Sequence, residues 1–155
     1  MPDSEWHALL AAAAAEVLET MFFASVYGPP EAGADRSGPR MAARVGFAGT
    51  PSGVLTLSIS TPAMRALAAN FLASDDGDPL PVSQLGGVIC ELANMICGAL
   101  LSQVKSAELF RLSSPELQPD DAPWPPCQPH QSLALGEDAG DGAIDLWLDL
   151  EPHAD

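Results

Sequence analysis

Residues 85–101 read LGGVICELANMICGALL, and the phasing of this run decides how the rest of the chain is arranged. Within a predicted helix over about 83–106, Leu85, Val88, Ile89, Leu92, Ile96, Ala99, Leu100 and Val104 recur at steps of three and four. That spacing makes one broad apolar stripe, which must be buried against another element. The opposite stripe reads Gln84, Gly87, Glu91, Asn94, Gly98, Ser102 and Lys105. Residues at these steps line one exposed face, with Glu91 and Asn94 neighbours one turn apart and the two glycines below and above them. Each glycine costs a helix interior about 0.8–1.0 kcal/mol relative to alanine. Two bare turns around a polar pair suggest a surface that something approaches closely.

Working outward, the chain supplies partners for the buried stripe. An amphipathic helix is predicted over about 4–26, with Trp6, Leu10, Ala13, Val17, Met21 and Ala24 on its apolar face; Gly28, Pro29 and Pro30 stop it. Met41, Ala43, Val45 and Phe47 alternate with Ala42, Arg44 and Gly46, and Leu55, Leu57 and Ile59 alternate with Thr56 and Ser58. With AGTPSG at 48–53 between them, these read as an antiparallel hairpin. Thr61 and Pro62 open a short helix to about Ala73, as N-cap and first helical residue, with Met64, Leu67, Ala68, Phe71 and Leu72 on one face. Strands are predicted at 108–113, 131–137 and 142–150, and loops at about 28–40, 74–82 and 114–130. The last of these is too proline-rich for a helix or a central strand. The element order predicts one α+β domain over 1–155, with helices packed on a mostly antiparallel sheet.

Composition narrows the partners. Six Lys and Arg stand against 21 Asp and Glu, a net charge of −15. Such a surface repels phosphate backbones and anionic headgroups, so neither nucleic acid nor a membrane is an expected partner. The start, MPDSEWHALL, lacks a basic secretory leader, and the apolar run at 85–101 is interrupted by Glu91 and Asn94. A cytoplasmic location is expected. Cys90 and Cys97 lie about 10.5 Å apart along a helix axis, too far for a disulfide, and Cys127 sits among prolines. His7, His130 and His153 form no metal-binding or catalytic spacing in sequence, so a metal or thiol enzyme is disfavoured.

Glu91 and Asn94 are not a complete active site. Asn94 cannot act as a base, and neither a second carboxylate nor a nucleophile stands beside the pair on its stripe. A carboxamide can orient an attacking water, as a glutamine does in small GTPases, provided a partner supplies the phosphate.

The E-x-x-N motif at Glu91 and Asn94, followed after 20 residues by Pro115 in FRLSSPEL, resembles the CheC, CheX and FliY family of chemotaxis phosphatases. The N-terminal EVLETMFFASV is similar to that family's first helix. The resemblance implies that the helix docks into a phosphorylated receiver domain of the CheY type, with Gly87, Gly98, Ser102 and Pro115 around the contact. It implies that Glu91 pairs with the receiver's lysine and that Asn94 places water in line with the aspartyl-phosphate. The chain itself would need no cofactor, the Mg²⁺ being the receiver's. A single motif is closest to CheX, whose members form homodimers; the first helix offers Glu16 and Glu19, with Phe22 where a second motif needs Asn. Many relatives carry Asp or Ser where this chain has Gly87. That keeps open an alternative, a non-catalytic receiver-binding or dimerisation module of the same fold.

Overall fold

The computed structural model describes residues 3–29, 38–49, 51–72, 81–104, 110–118, 128–136 and 142–151. Three helices, α1 (Asp3–Met21), α2 (Thr61–Leu72) and α3 (Val82–Ser102), accompany seven strands. These are β1 (Val26–Tyr27), β2 (Arg40–Ala48), β3 (Gly53–Ser60), β4 (Arg111–Leu112), β5 (Glu116–Leu117), β6 (Gln131–Leu135) and β7 (Ala143–Leu150). They form one antiparallel sheet in the order β1-β6-β7-β3-β2-β4, with β5 also paired to β2. The fold is α+β, as the element order predicts.

The hairpin pairs from Arg40 opposite Ser60 to Phe47 opposite Gly53, and β3 then pairs with β7 from Ile59 opposite Ile144 to Gly53 opposite Leu150. This register puts Ala43, Val45, Leu55, Leu57, Ile59, Ile144, Leu146 and Leu148 on one buried face. Helix α3 packs on β2 and β3 and is flanked by α1 and α2. Its ends are weakly capped: Pro81 contributes only its carbonyl, to Gln84 and Leu85, and Gln103 N–H closes on Leu100. Burial therefore holds it. Leu85, Ile89, Leu92, Ile96 and Leu100 are fully withdrawn from solvent, each worth about 1.5–3 kcal/mol. The helix is long and apolar enough to cross a membrane, but 56% of that window lies inside the fold, as suits a core helix.

Several boundaries differ from the sequence reading. Helix α1 stops at Met21, five residues early. Phe23 takes a left-handed backbone (φ 53°) and Ala24 N–H returns to the Leu18 carbonyl, which frees Val26 and Tyr27 to pair with β6. Met21 and Leu72, expected on apolar faces, are exposed, each as the last residue of its helix. The α2 cap is Ser60, whose Oγ accepts the Ala63 N–H at 3.3 Å, and not Thr61. Ala73, Lys105, Trp124, Cys127 and His153 lie outside the described residues.

The expected loop from 114 also contains strand, at Glu116–Leu117. Ala48 faces Arg111 and Phe47 faces Leu112, then Arg44 faces Glu116 and Ala43 faces Leu117. Three residues, Ser113, Ser114 and Pro115, thus stand opposite two, Val45 and Gly46. β4 and β5 are one edge strand broken by a bulge, the setting in which proline is tolerated. Ser113 fixes it: its N–H donates to the Gly46 carbonyl (2.8 Å) and its Oγ accepts the Gly46 N–H (2.9 Å). A β-carbon on Gly46 would stand 3.2 Å from that Oγ.

Candidate functional site

On α3 the exposed stripe forms as phased. Gln84, Gly87, Glu91 and Ser102 are exposed, whereas Gly98 and Asn94 are half-buried. The partial cover of Asn94 departs from the fully exposed side chain expected. Three residues turn the helix about 300°, so Asn94 lies roughly 60° from the Glu91 crest, on the margin of the buried side. Neither the Glu91 nor the Asn94 side chain forms a hydrogen bond or ion pair among the described residues. Glu91 is the sole charged residue of α3.

The glycines sort into two kinds. A β-carbon on Gly86 would stand 3.0 Å from Leu117 Cδ2, so that glycine admits a neighbouring side chain. β-Carbons on Gly87 and Gly98 would meet nothing within 4 Å. Internal packing gives no reason for these two, and they leave bare backbone on either side of the polar pair. Ser102 Oγ donates to the Ala99 carbonyl (2.8 Å), and Pro115 is half-buried in the edge-strand bulge beside α3.

Other chemistry-bearing groups lie elsewhere. Burial pushes the Cys97 thiol up to about 12 and raises that of Cys90; both are free. His7 and His130, far apart in sequence and expected to be isolated, stack with ring centres 4.4 Å apart. His130 Nδ1 accepts the Leu148 N–H (2.8 Å), which β6 is too short to reach. No signal in the spacing could have joined them, because the sheet brings His130 to α1. Among the described residues no cluster of three or more His, Cys, Asp or Glu could hold a metal ion.

Solved structures define the class of fold. CheX from Vibrio vulnificus superposes with a TM-score of 0.71 at 15% identity, over 95% of this chain and 97% of that one. The CheX–CheY–BeF3–Mg complex from Borrelia burgdorferi gives 0.68 at 15% identity, over 94% and 97%. Thermotoga maritima FliY gives 0.52 at 11% identity, over 97% and 82%. No curated protein matches the chain. The family model "Chemotaxis phosphatase CheX" matches residues 41–120, just over half of the sequence. The chain belongs to the CheX family of chemotaxis phosphatases.

Proposed function

We propose that the chain hydrolyses the aspartyl-phosphate of a CheY-type receiver domain, using Glu91 and Asn94 on α3. The observation that carries this reading is an unpartnered carboxylate and carboxamide, one turn apart, between two glycines with open space in front of them. Glu91 forms an ion pair with a receiver cation and sets the register of docking. Asn94 holds a water in line with the phosphorus, and its half-buried position limits the rotational freedom lost when it does so. On this reading Mg²⁺ is the receiver's contribution and this chain brings no cofactor, which the presence of Mg in the CheX–CheY–BeF3–Mg complex from Borrelia burgdorferi supports.

Gly87, Gly98, Ser102 and Pro115 belong to the docking surface, with the glycines admitting the partner to the helix backbone. The chain works as one unit over 1–155, in the cytoplasm, without nucleic acid or membrane. It pairs as a homodimer, for which β1, the end strand of the sheet among the described residues, is the candidate edge.

The second reading, a receiver-binding or dimerisation module without activity, is favoured by one observation. Gly87 brings no side chain to the turn before Glu91. The phosphate lifetime of CheY-type receivers from the same organism, with Mg²⁺ and with or without this protein, separates the two. Accelerated loss supports catalysis. Binding with an unchanged lifetime supports the module.

A further inference from the structure

The bulge in the edge strand has a second effect. Residues five apart in a regular strand point to opposite faces, yet Leu112 faces Phe47 and Leu117 faces Ala43, two core residues of the same sheet face. The extra residue at 113–115 therefore turns both leucines toward the helix layer. Leu117 reaches the α3 backbone at the buried Gly86, the residue before Gly87 and about 100° around the helix from it, yet keeps 46% of its surface in solvent; Leu112 keeps 38%. Two large apolar side chains thus stand at the sheet edge that flanks α3, each only partly covered.

Among the described residues this surface is poor in charge. In a chain of net charge −15, the stripe from Gln84 to Ser102 and its leucine flank carry one charged residue, Glu91. Arg111 and Glu116 adjoin the leucines in the strand and so alternate to its other face. Depletion of charge around apolar side chains marks the centre of a protein interface. The bulge and Pro115 also spoil this edge as a template for another strand, which disfavours a second copy adding its own strand here.

We propose that Leu112 and Leu117 form the apolar half of the receiver-docking surface, continuous with Gly87 and Glu91, and that they determine affinity for the receiver without taking part in the chemistry. The inference rests on the reading of Glu91 and Asn94 given above. The occupant is the phosphorylated receiver domain, meeting the leucines with apolar side chains beside its phosphorylation pocket.

The test measures binding of Leu117→Ser, Leu112→Ser and the conservative Leu117→Met to CheY-type receivers of the same organism, each held in its beryllofluoride–Mg²⁺ form. Turnover of the same receivers, phosphorylated by acetyl phosphate, gives KM and kcat separately. The serine variants are expected to weaken binding and raise KM by about tenfold, the size of a truncated interface anchor, with the loss in KM rather than kcat. Leu117→Met should retain most of the affinity. Circular dichroism and thermal melting identify a variant that fails to fold; Leu112, away from Gly86, then carries the test. Serine variants that bind like wild type, while Glu91→Lys does not bind, overturn the apolar flank and leave the proposed site standing. If Glu91→Lys also binds like wild type, the site itself falls and this inference with it.

Discussion

Arg40 Nη2 meets Asp145 Oδ2 at 3.2 Å across the sheet, with only 13% and 3% of the two side chains exposed. Two serines join the arrangement: Arg40 Nε donates to Ser58 Oγ (3.0 Å), and Ser132 Oγ donates to Asp145 Oδ1 (2.6 Å). β2, β3, β7 and β6 are tied together by one buried polar group.

Removing one member weakens the group. Arg40→Ala takes from the buried Asp145 its ion pair with Arg40, which should cost about 3–5 kcal/mol of unfolding free energy. Ser132→Ala removes a hydrogen bond to a charged group and should cost about 1.5–3 kcal/mol. Urea denaturation of the variants measures both, and an Arg40→Ala loss under 1 kcal/mol would refute the network's role.

The open glycines make a prediction with two signs. Alanine at Gly87 or Gly98 meets no neighbour, so each substitution should raise stability by roughly 0.5–1 kcal/mol through helix propensity. The same methyl group stands where the receiver is proposed to approach, so each should weaken receiver binding. A variant that gains stability and binds as before would remove the argument from close approach.

Asn94 and Glu91 should fail in different ways. Asn94→Ala is expected to lower kcat on a phosphorylated receiver by about 10²-fold, the scale of losing a positioned reactant, with binding of the beryllofluoride form retained. Glu91→Lys reverses the one charge of α3 and should weaken complex formation at least tenfold. Equal hydrolysis rates for Asn94→Ala and wild type would end its assignment to water.

Cys97 gives a dependence on alkaline pH. Its thiol is raised to about 12 by burial, whereas an unfolded thiol titrates near 8.5. Between these values the folded chain holds a proton that the unfolded chain releases, so this contribution is whole below about pH 8.5 and is lost as pH rises toward 12. Stability should fall over that window in wild type and less steeply in Cys97→Ala. Alkylation by iodoacetamide at neutral pH should spare Cys97 until the protein is unfolded.

Phe23 combines a left-handed backbone with a side chain 66% exposed. A bulky residue there costs about 1–2 kcal/mol, and the exposed ring recovers little by burial. Phe23→Gly should leave stability unchanged or raise it by up to about 1 kcal/mol, although glycine loosens the unfolded chain. Thermal melting checks this, and a marked loss would show that the ring packs.

The fold was legible in sequence wherever one periodicity ran unopposed. α3, the 40–60 hairpin and β7 could be read directly because burial on one face sets their apolar spacing. Phe22 and Phe23 were not: both look like helix interior, and only the turn at Phe23 shows that the first enters the core and the second leaves it. Asp145 and Trp147 occupy the polar phase of β7 yet are buried, because alternation tells which residues share a face and not whether the second face is covered. For the candidate site, Glu91 and its stripe followed from helical phase alone. Leu117 did not, since a proline-rich segment hides a strand that resumes after a bulge. The two kinds of glycine in Gly86-Gly87 were indistinguishable without the neighbour that lies over one of them.

Glu91 and Asn94 share a single helix whose far side is sealed into the core, so no hinge or loop lies between them. Their spacing cannot be altered without opening α3, and opening a fully packed core helix approaches the cost of unfolding the protein. The pair is therefore set by α3 itself and is not assembled by moving one element against another. If the proposed function holds, timing at this surface comes from outside it, through the abundance of the chain and the rate at which a partner in the right chemical state arrives.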